Sequence, residues 1–248
     1  MHPVIIIVIC AAAILVAVGF GRIRLPHRTS LEAIEDEKSV AAYDRISRWL
    51  PFIIVRRIVV GELAKDRPAG RLVDIGCGPG WLTLQIARRF TGVEAIGIDA
   101  SDAMVEKAIG NAERAGLLGR VRFLDGDAAD LPLPDASADL VLSTFSLHHW
   151  SDPALAFSEI HRVLRPGGLL LLYDLRRDTR RFFYWGARIA QTFVVPAAVR
   201  RADEPGGSIL ASYTPNEIEE LFARSPFGEC SVSGRTAWFF ARARRRSG

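Results

Sequence analysis

Cysteine is scarce in this 248-residue chain: Cys10, Cys77 and Cys230 are the whole set, and no two stand in a CxxC pair. That excludes a disulfide framework and a cysteine-built metal centre, so no metal ligand set is expected, and it suits a reducing compartment. There is no internal repeat and no low-complexity stretch beyond the arginine tail "RARRRSG", so a solenoid is excluded. With 49% hydrophobic and 24% charged residues the chain is not a disordered one. The tail also lacks interleaved aromatics for base stacking, so no nucleic-acid partner is expected. Arginines gather instead at Arg22, Arg24 and Arg28, at "RRDTRR" (176–181), at Arg200–Arg201 and in the tail, a scatter that suits an anionic surface or plain solvation.

Charge is missing altogether from "PVIIIVICAAAILVAVGF", residues 3–20. As a helix this run would be roughly 27 Å long, against a hydrocarbon core of about 30 Å. No Lys or Arg precedes it, while Arg22 and Arg24 follow. The expectation is a single-pass transmembrane helix within residues 1–25, amino end outside and the catalytic bulk cytoplasmic. A cleaved signal peptide, with "AVG" (17–19) as its site, and a buried core helix are the alternatives.

Residues 26–69 form a helical segment. "TSLE" (29–32) has capping-box spacing for a helix running through "AIEDEKSVAAYDRISRW", and "LPFIIVRRIVVGEL" (50–63) reads as a helix packing on the core or lying against a membrane. From residue 70 to 248 apolar runs alternate with helical patterns. "RLVDIG", "VEAIGID", "VRFLDGD", "ADLVLST" and "GLLLLYD" are strands without polar alternation, as in a sheet covered on both faces. Thr214, Pro215 and Glu217 open a further helix, and "ECSV" with "TAWFFARA" makes a closing hairpin. The fold class is α/β: a doubly wound, mostly parallel seven-stranded sheet with a C-terminal antiparallel hairpin. Residues 176–213, rich in Phe, Tyr and Trp, are too long for a connection and read as a helical lid.

The first strand runs into "VDIGCGPGW" (73–81). Trp81 stands where a dinucleotide fingerprint wants its last glycine, which argues against a dehydrogenase, and no Gly-Lys-Ser/Thr follows, which excludes a P-loop. An adenosine-type ligand without phosphates remains. Asp99 ends the second strand 25 residues beyond Asp74, where a carboxylate can accept both hydroxyls of a ribose.

"LVDIGCGPGWLTLQIA", "GIDASDAMVEKA", "FLDGDAADLPLPDASADLVLSTFSLHHW" and "EIHRVLRPGGLLLLYD" resemble, in order, the signature blocks of class I S-adenosylmethionine-dependent methyltransferases, and are most similar to the branch containing the quinone-biosynthesis C-methyltransferases. The resemblance implies S-adenosyl-L-methionine as cofactor. It implies that Gly76, Cys77, Gly78 and Gly80 face its methionine portion and that Asp74 reaches the ammonium, directly or through water. It gives Asp99 the ribose, Ala100 and Met104 the flanks of the adenine, and Asp127 and Ala128, at the end of the third strand, its amino edge. Ser143 and Thr144 would line the methionine side. No universal catalytic residue follows from it; His148 and His149 in "SLHHW" are the candidates for a base, with Tyr173 and Asp174 behind them. Together with the anchor, the lid and the arginines, it implies a small, lipophilic or membrane-associated acceptor. A soluble acceptor and a catalytically silent cofactor-binding scaffold are the alternatives.

Overall fold

The computed structural model describes residues 19–29, 36–201 and 203–247. Seven strands lie in the order β3-β2-β1-β4-β5-β7-β6. They are β1 Gly70–Ile75, β2 Val93–Asp99, β3 Val121–Asp125, β4 Ala138–Thr144, β5 Leu164–Leu175, β6 Ser231–Gly234 and β7 Trp238–Arg244. β1 to β5 pair in parallel, whereas β7 runs antiparallel to both β5 and β6. The order reverses between β1 and β4, where Val73 pairs with both Ile96 and Val141. In such sheets the crevice beyond the carboxyl ends of the strands at this reversal holds the ligand.

Both faces of the sheet are covered. On one, Leu72, Leu140, Leu142 and Leu171 pack under α2 (Leu50–Leu63), α3 (Trp81–Arg89) and α4 (Asp102–Arg114). On the other, Val73, Val141 and Leu170 pack under α5 (Pro153–Val163) and α9 (Pro215–Ala223). The second layer is knitted by Phe157 and Phe222, both fully buried and stacked with ring centroids 4.5 Å apart. Deleting either ring would cost about 3–5 kcal/mol. The helices start where their caps dictate: the Ser101 hydroxyl takes the Met104 N–H, Asp152 takes that of Leu155, and Thr214 and Glu217 form a complete capping box.

Before the sheet, α1 (Glu37–Ile46) is capped by Asp36. The expected start at "TSLE" falls mostly outside the described residues. α2 buries Val59, Val60 and Leu63 against the core, so "LPFIIVRRIVVGEL" is a packing helix whose first turn, at Leu50 and Ile54, is exposed. Residues 176–213 fold into α6 (Arg181–Phe193), α7 (Ala197–Arg201) and α8 (Gly206–Ala211). Phe182, Trp185, Ile189 and Phe193 of α6 are exposed, whereas Gln191 is buried.

Two expectations need correction. Among the described residues no helix is long and apolar enough to cross a membrane, and residues 3–18 lie outside the described residues. The described residues thus provide no transmembrane helix, and the placement as a single-pass membrane protein with a cytoplasmic catalytic domain is withdrawn. The arginine clusters, too, are largely used inside the molecule. Arg177 is buried and donates to the carbonyls of Leu25 and Ser212 and to Glu217, and Arg176 clasps Asp178. In the tail, Arg242 pairs with Asp66 and Glu62, and Arg245 donates to the carbonyls of His161, Arg162 and Leu164. Guanidinium groups bound in this way are not on offer to an anionic surface.

Candidate active site

The glycine loop follows β1. Gly76, Gly78 and Gly80 all adopt positive φ, at 69°, 52° and 78°. A Cβ on Gly76 would lie 2.1 Å from Oγ and 2.4 Å from Cβ of Ser146, and one on Gly80 would lie 2.7 Å from the Phe123 ring. These two glycines are therefore demanded by the protein's own packing. At Gly78 the nearest atom is Cε1 of Tyr43, 3.7 Å away, so its main chain faces a more open space beneath α1. Cys77 is buried, and burial, reinforced by Asp99 and Asp74, pushes its thiol well above the ordinary range.

Asp99 points into this loop. Its Oδ2 accepts the Gly78 N–H at 2.7 Å and its Oδ1 the Ser101 N–H at 3.1 Å. Burial raises its carboxyl, and the two N–H donors hold part of that rise back. Asp74, at the end of β1, is buried with Oδ2 accepting the Thr83 hydroxyl at 2.6 Å. Burial lifts it to about 7. Ala100 is exposed at the end of β2, and Met104 is buried on α4. Asp127 and Ala128 do not end β3, which stops at Asp125. They sit in a tight turn in which Asp127 bridges to Asp130 and accepts the Ala129 N–H, because the Asp127 carboxylate can satisfy the turn's own backbone.

At the reversal, Ser143 pairs with Ile75 and with Leu172, and Thr144 pairs with Tyr173. The Ser143 and Thr144 hydroxyls and the Tyr173 OH are buried with no hydrogen-bond partner among the described residues. Each such group costs about 1–3 kcal/mol. Three of them at the carboxyl ends of β4 and β5 fit a site that receives polar groups from a ligand. The rings of Tyr43, Phe52, Phe145 and Tyr173 follow one another here at centroid distances of 6.3, 6.5 and 5.2 Å.

Just past β4, a 3-10 turn (Leu147–His149) brings the two histidines to Asp174 of β5. His148 Nδ1 lies 2.7 Å from Asp174 Oδ1, both side chains almost fully buried. The same carboxylate accepts the N–H groups of His148 and Leu175, so it acts purely as an acceptor and fixes the proton of His148 on Nδ1. Burial alone would lower the His148 pKa, but the charge and hydrogen bond of Asp174, with Glu204 behind them, raise it above the usual value. His149 packs against His148 with its ring tilted and centroids 4.2 Å apart, and its Nε2 is 4.0 Å from Glu204 Oε1. Burial and the charge of His148 hold its own pKa down. Glu204 accepts the Ser208 hydroxyl, and burial raises its carboxyl. Two surface grooves lie elsewhere: one of about 460 Å³ between the amino ends of β2 and β3, one of about 250 Å³ beside His27 and Tyr213.

Sequence reasoning missed three residues of this end. Tyr43 sits over Gly78; burial, then the charges of Glu204 and Asp99, raises its phenol. Its spacing from Val40 and Ile46, three residues each way, is the helical period that would have placed it inward. Asp44 accepts the Trp81 indole N–H at 2.9 Å and an Asn111 amide N–H at 3.1 Å, tying α1 to α3 and α4. Glu204 carries no local signal, because the histidines it faces are more than 50 residues away in the chain.

A methyltransferase-domain family model matches residues 73–172. The 27-O-demethylrifamycin SV methyltransferase of Amycolatopsis mediterranei is 44% identical over 139 residues, 56% of this chain and 46% of that protein. The ubiquinone/menaquinone biosynthesis C-methyltransferase UbiE of Syntrophotalea carbinolica is 31% identical over 192 residues, covering 75% of this chain and 77% of its own. Among solved structures, a SAM-dependent methyltransferase from Aquifex aeolicus superposes with a TM-score of 0.58 at 19% identity, over 84% of this chain and 98% of that one. The matches span between 44 and 60% of the length of several curated relatives.

Proposed function

Because the chain belongs to the class I S-adenosylmethionine-dependent methyltransferases, we propose that it methylates a small, lipophilic acceptor bearing an ionisable hydroxyl, with His148 as the base. In the cofactor cleft, Asp99 takes the ribose hydroxyls beside the Gly76–Gly80 backbone, and Ala100 and Met104 flank the adenine. Asp127 and Ala128 meet the adenine amino edge, Asp74 serves the ammonium, and Ser143 and Thr144 line the methionine portion. When bound, the cofactor supplies an electrophilic methyl on a positively charged sulfur.

The observation that carries the reading is the buried His148–Asp174 pair at the carboxyl ends of β4 and β5. Asp174 keeps the Nδ1 proton in place, so Nε2 is the basic atom that takes the acceptor's O–H proton. The oxygen freed of its proton, or a ring carbon that it activates, would be the nucleophile toward the methyl that a bound cofactor would supply. Asp174 balances the imidazolium left behind. An ionisable hydroxyl serves O- and C-methylation alike, and the relatives' names include both. The aromatic row from Tyr43 to Tyr173 supports an apolar acceptor body, and the 176–213 insertion, through Glu204, covers it as a lid.

The test is methyl release from labelled S-adenosylmethionine on a panel of phenols and enols, with His148→Gln and Asp174→Asn beside wild type. Expected is a rate loss of about 10²–10⁴-fold for His148→Gln with cofactor affinity retained. In wild type the rate falls as pH drops through the raised His148 pKa, and Asp174→Asn moves that limb to lower pH. A His148→Gln enzyme turning over at the wild-type rate refutes the base. Cofactor binding without methyl release on any acceptor returns the scaffold reading.

A further inference from the structure

One ring nitrogen each from His148 and His149 and one carboxylate oxygen of Glu204 lie within 4.8 Å of one another. We infer that these three side chains form a binding site for a divalent transition-metal ion, and that an ion bound there shuts off methyl transfer by occupying the base. The inference rests on the proposed role of His148.

The donor set is two imidazoles and a carboxylate, which favours zinc, cobalt(II) or copper over magnesium or calcium. Asp174 already holds Nδ1 of His148, so Nε2 is left as its ligand atom. A carboxylate on the far nitrogen of a ligating histidine is the usual support of such a ligand. Glu204 brings negative charge to the cluster, and no Lys or Arg among the described residues lies within ion-pair distance of it. His149 and Glu204 now stand 4.0 Å apart, whereas ligands on a tetrahedral ion are about 3.3 Å apart. Small rotations of two side chains close that gap. His148 and Glu204 are largely shielded, while the His149 side chain, 38% exposed, gives the ion a route from solvent. The ligands come from two distant parts of the chain, so metal would also pin the insertion to the turn after β4.

The experiment titrates the full-length protein with cobalt(II) alone and reads its ligand-field absorption. Zinc inhibition of methyl transfer is then measured for each protein against its own metal-free rate. Expected is one ion per chain with tetrahedral-type absorption, affinity about tenfold or more weaker in His149→Ala and in the isosteric Glu204→Gln, and a similar loss in Asp174→Asn. S-adenosylmethionine binding certifies that each variant is folded. Absent absorption in wild type, or cobalt affinity in both ligand variants equal to that of wild type, overturns the site. Cobalt binding that obeys the variants while zinc leaves the rate untouched overturns the role of His148 and keeps the metal site. Base catalysis that passes its own test without any cobalt binding sinks this inference alone.

Discussion

Replacing Asp99 by asparagine removes one charge and turns one acceptor into a donor. Each carboxylate oxygen of Asp99 accepts a backbone N–H, from Gly78 at 2.7 Å and from Ser101 at 3.1 Å. In the variant only the carbonyl oxygen can accept, so the amide NH2 must face one N–H, donor against donor. The ligand-free protein gains in return, because a buried charge disappears, and its unfolding temperature is expected to stay within a few degrees of wild type. The cofactor complex has no such compensation. A hydrogen bond to a charged acceptor contributes about 1.5–3 kcal/mol, and under the proposed assignment two ribose hydroxyls would share this carboxylate; losing one bond and weakening the other would amount to roughly 2–4 kcal/mol. That is a roughly 30- to 700-fold rise in Kd for S-adenosylmethionine. Titration calorimetry measures the Kd, and thermal unfolding with and without cofactor shows whether the fold survives. A Kd within about threefold of wild type, in a folded variant, refutes the ribose assignment.

Other expectations follow from the same cleft. Asp74 is lifted to about 7 by burial, so near neutrality part of the ligand-free protein carries it protonated. A nearby ammonium favours the carboxylate; cofactor binding should release a proton, and affinity should rise as pH climbs through about 7. Calorimetry in buffers of differing ionisation enthalpy detects that proton, Asp74→Asn should erase it, and wild type without proton exchange would place the ammonium elsewhere. Without cofactor the same shift works against stability as pH rises from 3.8 towards 7, because the folded state keeps a proton that the unfolded chain has released. Gly76→Ala meets both a φ of 69° and a clash with Ser146. About 2–5 kcal/mol is lost, or roughly 5–15 °C in Tm. Gly78→Ala, whose new methyl meets only Tyr43, should unfold nearer to wild type and bind cofactor more weakly; equal Tm losses for the two would mean the loop's glycines share one role.

The sheet was legible because strands covered on both faces are written as short apolar runs. "VEAIGID" and "ADLVLST" match β2 and β4 residue for residue. The third strand was read two residues too long, since Asp127 folds back on its own turn, a choice that side-chain geometry makes and hydrophobicity does not record. Asp74 and Asp99 were legible as a pair beside the glycine loop because they stand at strand ends. What covers it was not. Tyr43 and Asp44 precede the first strand, Glu204 lies in the insertion, and their partners are set by tertiary packing. The arginine clusters misled for a related reason: a sequence shows a charge but not the carbonyls of His161 and Leu164 that absorb it. The apolar run near the amino end promised an anchor that no described helix provides.

Asp44 has the widest consequence. A single carboxylate oxygen grips an indole and an amide from two neighbouring helices, and so clamps the leading helix over the glycine loop. The leading segment and the sheet domain share one keystone. A chimaera that borrows its leader from a relative would have to import this aspartate together with a matching tryptophan and asparagine, or the cleft would open to water from above.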